Sequence, residues 1–278
     1  MNRSFMGAVF VAAVMSCGLA ACTPGVRQPV AVQSPSEPPH PWDNAQRLAS
    51  LTHADFEKSG YQGIAPHVPA LEEALANADQ SFRVPDAAVG PIYRLTDGSA
   101  EALGVLLIAS VDKSSGLAGR QVVAIVNPYP AISYYLGYYY NEIGNFDAAL
   151  HALDAGLKLP TVENMAVGEH TPLLISERGA ALDGLKRWPE ALENFKKGAS
   201  ISGLESGQHA VMLRGEGLSL TELGRLDEAE KMYRDSLVSA PSNPNALREL
   251  AYIARLRSGG AAVPTGIIRP NPSSPGKS

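Results

Sequence analysis

The chain has 278 residues, of which 45% are hydrophobic and 18% charged, a composition that suits a globular protein of one or two domains. Its net charge is −5, and it carries no run of Lys and Arg and no basic stripe interleaved with aromatics. A broad polyanion-binding surface is therefore excluded, and nucleic acid is not an expected partner.

Residues 1–21 read as a targeting segment. Arg3 supplies a short positive start, Phe5 to Ala21 is almost wholly apolar, and the run closes on Leu19-Ala20-Ala21-Cys22. A cysteine directly after Leu-Ala-Ala resembles the lipobox of bacterial lipoproteins. The resemblance implies diacylglycerol on Cys22, cleavage before it, and N-acylation of the new terminus, palmitate being the expected chain. Paired acyl chains anchor stably where a single one is marginal. A plain secretory signal or an uncleaved anchor helix would show the same apolar run. Thr23 stands where inner-membrane lipoproteins of enterobacteria carry aspartate, so the resemblance implies the outer membrane, facing the periplasm. Cys17 and Cys22 are the only cysteines. With Cys17 removed and Cys22 lipidated, the mature chain has no thiol left for nucleophilic catalysis, a disulfide or a thiolate metal site. Arg3 is the only charged residue removed, so −5 becomes −6.

Residues 22–41 carry Pro24, Pro29, Pro35, Pro38, Pro39 and Pro41 among Ser, Gln and Val, which forbids a helix and reads as an extended tether. Residues 42–128 form an N-terminal region expected to be mostly helical. Within 42–80, Leu71, Ala74, Leu75 and Ala78 share one helix face, and the loop Gly60-Tyr61-Gln62-Gly63 separates them from an earlier helical stretch. The pair suits an N-terminal cap. From 81 to 128 the pattern is weaker. An apolar helix is expected from about Ser99 to Val111. Glycines and serines between 114 and 119 mark a loop, and 121–126 suits a short strand or an extended approach to Pro128 and Pro130.

The second half repeats. Gly137, Gly144 and Ala149 stand at offsets 0, 7 and 12; Gly217, Gly224 and Ala229 stand at the same offsets; Gly179, Lys186 and Ala191 form a third set with one substitution. Around them lie Leu136, Tyr140 and Leu153, then Leu182 and Phe195, then Leu213, Leu220, Leu226, Tyr233 and Pro241. These residues resemble the tetratricopeptide repeat (TPR), whose pattern runs W-x2-L-G-x2-Y…A-x3-F…P over ~34 residues. The match departs at the Trp site, where Ser133 stands in the first repeat, and Arg178 replaces a leucine in the second. The resemblance implies an all-α fold: a TPR helical-hairpin superhelix over 129–257, three repeats closed by a C-terminal capping helix that starts at Asn243-Pro244. Lengthened connections fall near 160–171 and 202–208. Residues 258–278, rich in Pro and Gly, read as a disordered tail.

TPR ligands lie on the concave face. Carried onto this frame, the resemblance implies a partner-binding groove of Tyr134, Tyr138, Asn141 and Glu142, then Ser176, Ala180 and Asp183, then Arg214, Leu218 and Thr221, then Arg248, Tyr252 and Arg255. Its aromatic start and arginine-rich end suggest an extended peptide closing on a carboxylate or acidic stretch. Six of the ten tyrosines lie between 129 and 140. Tyr140 belongs to the core by frame, and Tyr135 and Tyr139 are expected to face 81–128. Chemistry is not expected. Ser110-Val111-Asp112-Lys113 matches S-x-x-K but lacks the companion S-D-N and K-T-G motifs. The six histidines are scattered, with none at i, i+3 or i+4 from another. No catalytic residue, metal ligand or cofactor is assigned. The reading is a lipid-anchored TPR adaptor of the bacterial envelope, binding envelope proteins or an extended peptide segment. The alternative is an envelope enzyme or small-ligand receptor with its site in 81–128 and the repeats as accessory.

Overall fold

The computed structural model describes residues 40–79, 91–111, 121–159 and 168–260. The signal segment, Cys22, nearly all of the tether, the 114–119 loop, most of the 160–171 connection and most of the C-terminal tail lie outside the described residues.

Two helices open the described chain: α1 (Asp43–Ser59) and α2 (Val68–Ala76), linked by short helical turns at Tyr61–Ile64 and Ala65–His67. A small parallel unit follows. Strand β1 (Ile92–Thr96) leads into α3 (Ser99–Val111) and then β2 (Val122–Val126), paired from Ile92 with Val122 to Thr96 with Val126. The helix and the second strand match their sequence expectation. The first strand has no counterpart in the sequence reading, which expects this region to be mostly helical and places a strand only at 121–126. Its Ile92-Tyr93-Arg94-Leu95-Thr96 is β-branched and aromatic, and only its ends are fully buried, so alternation is too faint to read from the sequence.

Three hairpins then stack: α4 (Tyr129–Glu142) with α5 (Phe146–Leu157), α6 (Thr171–Gly184) with α7 (Trp188–Ala199), and α8 (Ser206–Glu222) with α9 (Leu226–Ser239). Helix α10 (Pro244–Arg257) closes the stack; Asn243 caps it by accepting from the Ala246 N–H at 3.0 Å, with Pro244 in the first turn. Helices α4, α6, α8 and α10 pack each on the next, and each second helix of a hairpin packs against the first helix of the following one. The first helices thus line the inside of the array.

Close crossing explains the glycine frame. A Cβ on Gly137 would come within 2.4 Å of Leu153, on Gly179 within 2.3 Å of Phe195, and on Gly217 within 2.9 Å of Tyr233. The three pairs share one spacing, so each hairpin closes on a large side chain lying over a bare backbone. Ala149, Ala191 and Ala229 are wholly buried at the opposing position. Ser133, at the site where the pattern has Trp, is wholly buried; its hydroxyl donates to the Ala152 carbonyl, and a Cβ on Gly156 would strike it at 2.2 Å. There is no room for an indole there.

The hairpin turns repeat to the bond. The N–H groups of Asn145, Arg187 and Arg225 donate to the carbonyls of Tyr140, Leu182 and Leu220 at 2.8–2.9 Å, closing a Schellman motif each time. The residue before each donor takes a positive φ: Gly144 at 77°, Lys186 at 59°, Gly224 at 73°. Arg178, in place of leucine, reaches Asp154 at 2.6 Å and Asn194 at 3.1 Å, exchanging an apolar contact between hairpins for a charged one.

Candidate interaction surface

The inner helices bring the groove residues of the sequence frame onto one side of the array, with differing exposure. Tyr134, Tyr138, Glu142, Ser176, Ala180, Arg214, Leu218 and Tyr252 are half-buried, and Arg248 and Arg255 are exposed. Asn141, Asp183 and Thr221 are buried. These three occupy one frame position, and each works within the stack. Asn141 donates from Nδ2 to the Glu177 carbonyl at 2.9 Å and to Glu177 Oε2 at 2.8 Å, tying α4 to α6. Asp183 accepts from the Ser219 hydroxyl at 2.9 Å, tying α6 to α8. Thr221 returns its hydroxyl to the Gly217 carbonyl at 2.8 Å. Their position lies at the bottom of the groove, where successive inner helices meet.

Burial has a cost for the one ionisable member of this set. It pushes the Asp183 carboxyl up to about 7; the Ser219 hydrogen bond opposes the shift and the charge of Glu222 adds to it. Burial also raises Glu249, with Glu222 again adding, and holds the Tyr233 phenol well above its ordinary range, with Glu249 the largest charged contributor. Arg214 is lowered by burial on the neighbouring stretch of α8.

The tyrosine stripe is directed differently from the sequence expectation. Tyr135 packs beside His53 and Phe56 of α1, its hydroxyl 2.9 Å from His53 Nδ1, rather than facing 81–128. Tyr138 meets Phe56 edge-on at 5.3 Å, and the Tyr140 hydroxyl donates to Glu72 of α2 at 2.5 Å. The sequence showed an apolar α4 face but not which neighbour covered it. The helical pair α1 and α2 does so, because α4 is the first helix of the array and needs a partner on its outer side. The aromatic start of the groove is therefore partly a packing surface.

At the arginine-rich end, two of the arginines have neighbours within the chain. Arg248 lies 3.7 Å from Glu249 and donates to Asn245 at 3.1 Å. The Arg255 guanidinium stands 5.1 Å from the Tyr252 ring centroid. Carboxylates of Glu177, Asp183, Glu222 and Glu249, which the sequence frame did not weigh together, share this side of the array. Charged groups of both signs thus lie along the inner helices.

A polar cluster joins the parallel unit to the second hairpin. Asp97, at the end of β1, accepts from the His170 N–H at 3.1 Å and lies 2.6 Å from His170 Nδ1. Buried Glu101 accepts from the Asp97 N–H at 2.5 Å, and Glu169 accepts from the Ser99 N–H at 3.2 Å. These bonds cap the start of α3 and fasten it to the start of α6, so the cluster reads as a joint. Among the described residues, no three His, Cys, Asp or Glu side chains are grouped to hold a metal ion, and no helix is long and apolar enough to cross a membrane.

No protein-family model and no curated protein matches this chain. Among solved structures, the chain is similar to the first TPR domain of human RPAP3, at 21% identity over 47% of this chain and 94% of that domain, with a TM-score of 0.40. It is equally similar, with a TM-score of 0.39 over the same shares, to the first TPR of Spaghetti (RPAP3) bound to the HSP90 peptide SRMEEVD. The second TPR domain of human RPAP3, in complex with the HSP70 peptide SGPTIEEVD, matches at 21% identity over 45% of this chain and 98% of that one, with a TM-score of 0.37.

Proposed function

We propose that this chain is a lipid-anchored TPR adaptor of the bacterial envelope. It would hold an extended segment of another envelope protein along the inner helices while the acylated Cys22 keeps it at the outer membrane, facing the periplasm. The observation that carries the interaction role is the run of half-buried side chains along one side of the array, from Ser176 and Ala180 through Arg214 and Leu218 to Tyr252. Such positions are organised by packing yet still open to a partner, as binding surfaces require. The anchor rests on the Leu19-Ala20-Ala21-Cys22 motif and the proline-rich tether after it. The Asp97–His170 pair does not support the enzyme reading, because it is consumed in fastening α3 to α6.

A photo-crosslinking residue placed at Leu218, on the inner side, should capture a defined envelope protein in living cells. The same residue at Val238, 82% exposed on α9, should not. Equal capture from both positions, or none from Leu218, would remove the adaptor reading. The anchor is tested separately: Cys22→Ser should abolish incorporation of a labelled palmitate analogue and release the chain from the membrane fraction. Retention of both in the variant would remove it.

A further inference from the structure

Helix α3 turns an apolar stripe to the outside. Leu103, Leu107 and Val111, spaced four apart on one face, are 69%, 63% and 68% exposed, and Leu106 beside them is exposed as well. Elsewhere among the described residues, exposed large apolar side chains stand one to an element or turn. Single ones are ordinary on any surface, whereas a contiguous stripe marks an interaction site. Polar groups of α3 do not interrupt it. Glu101, the one charged residue of the helix, is buried and receives the Asp97 N–H. The Ser110 hydroxyl returns to the Leu107 carbonyl at 2.7 Å.

The occupant of this face follows from where the chain enters the fold. The described chain begins at His40, whose ring stacks on Trp42 at 4.7 Å and meets Tyr93 of β1 at 4.5 Å. Trp42 is buried, its ring 5.8 Å from the same tyrosine. The entry point is thus fixed to the strand on which α3 packs. Leu95 of β1 joins the core of α1, α2 and α4, while α3 takes its packing from β1 and β2 and forms an outer layer. Residues 22–39 join Cys22 to His40, and even fully extended they span no more than ~65 Å. An anchor at Cys22 therefore draws this unit, and α3 with it, toward the membrane.

We propose, resting on the lipid-anchored reading of Cys22, that the Leu103–Val111 face of α3 lies on the bilayer that holds the anchor. Its leucines sink about 5–10 Å into the boundary between headgroups and acyl chains. Thirteen residues are too few to cross a bilayer, which takes about 20, so the helix lies along the surface. A protein partner calls for a polar rim to complete its interface; lipid does not.

The test uses the mature acylated chain carrying Leu107→Cys, in which the introduced thiol alone is free for a nitroxide label. The chain is reconstituted in vesicles of phosphatidylethanolamine and phosphatidylglycerol. Oxygen, which concentrates in lipid, should relax the label several-fold more than a water-soluble nickel complex does. A label at Val238→Cys on α9 should show the reverse. Adding Leu103→Glu and Val111→Glu should move the 107 label into water. Flotation with the vesicles and melting temperature should stay as in the parent, because both positions are exposed. A 107 label that nickel reaches as freely as the 238 label, or that the two glutamates leave unmoved, would overturn the docking and leave the anchor standing. A label shielded from both agents would overturn it as well, placing segment 80–90, segment 112–120 or a second copy over the face. A chain that does not float with the vesicles would overturn anchor and docking together.

Discussion

At the scale of single residues, the repeat frame shows where one side chain departs from its equivalents, and each departure has a measurable cost. Lys186 holds φ at 59° where Gly144 and Gly224 do the same work without a Cβ. A left-handed non-glycine residue costs about 1–2 kcal/mol, part of which glycine returns as unfolded-chain entropy. Lys186→Gly should therefore stabilise the chain by up to ~1 kcal/mol in denaturant melts; a loss of stability would show that the Lys186 side chain makes a contact outweighing its backbone strain. Asp183 departs in charge, since Asn141 and Thr221 are neutral at its position. Its carboxyl sits at about 7 in the folded protein against an ordinary 3.8, because burial disfavours the anion. The folded state thus takes the proton at a pH where the unfolded chain has already released it. Stability from this group is present below about pH 4, and is lost as the pH climbs through 7. Asp183→Asn removes the penalty and should raise stability at pH 8 by about 1–3 kcal/mol, with a flatter pH dependence between 5 and 8. Glu249 and Glu216 are shifted upward as well, so a shallower slope of the same sign should remain. Equal stability of parent and variant at pH 8 would contradict the burial of a charged Asp183.

At the scale of elements, helix crossings decide which residues are fixed and which vary. The Gly179–Phe195 crossing leaves 2.3 Å for a Cβ, and Phe195 is held in the core between the second and third hairpins, so it cannot swing away. Gly179→Ala should destabilise by about 1–3 kcal/mol, and Phe195→Leu in the same chain should recover part of the loss although Phe195→Leu alone is destabilising. Simple additivity of the two changes would mean that the residues do not share this space. The same crossings explain what could be read from the sequence. Gly137, Gly179, Gly217 and the alanines at 149, 191 and 229 were legible because backbone contact tolerates almost nothing else. The caps at Asn243-Pro244 and the turns at Gly144 and Gly224 were legible for similar local reasons. Strand β1 was not, because a two-stranded sheet with half-buried residues leaves no strong alternation. The direction of Tyr135 and Tyr138 was not, because a helix face records that it is covered without recording by what. The bottom of the groove was missed in part because Asn141 and Asp183 look like exposed polar residues. Their roles depend on Glu177 and Ser219, each 36 residues away.

At the scale of the whole molecule, stability is passed between neighbours along the stack. Among the described helices, each hairpin of the array packs chiefly on the hairpins beside it, so its end needs a cover. At the C-terminal end that cover is α10, whose Ala246 and Ile253 complete a core with Leu192, Leu220, Ala229 and Tyr233. Arg257 adds ion pairs to Asp227 and Glu230 of α9, but these lie at the surface, where solvent screens them. Burial of Ile253, Leu220 and Tyr233 stabilises this end more than those ion pairs do. A chain ending at Ser242 should therefore lose several degrees of melting temperature, while Arg257→Ala should lose little. Neighbour coupling further predicts where the loss falls. In the shortened chain, amide hydrogen exchange should accelerate strongly in α8 and α9, less in α6 and α7, and hardly at all in α5 and in α4, which rests on α1 and α2. A uniform acceleration across all three hairpins would mean that the array opens as one cooperative body. In that case α10 would stabilise the whole molecule rather than close its end.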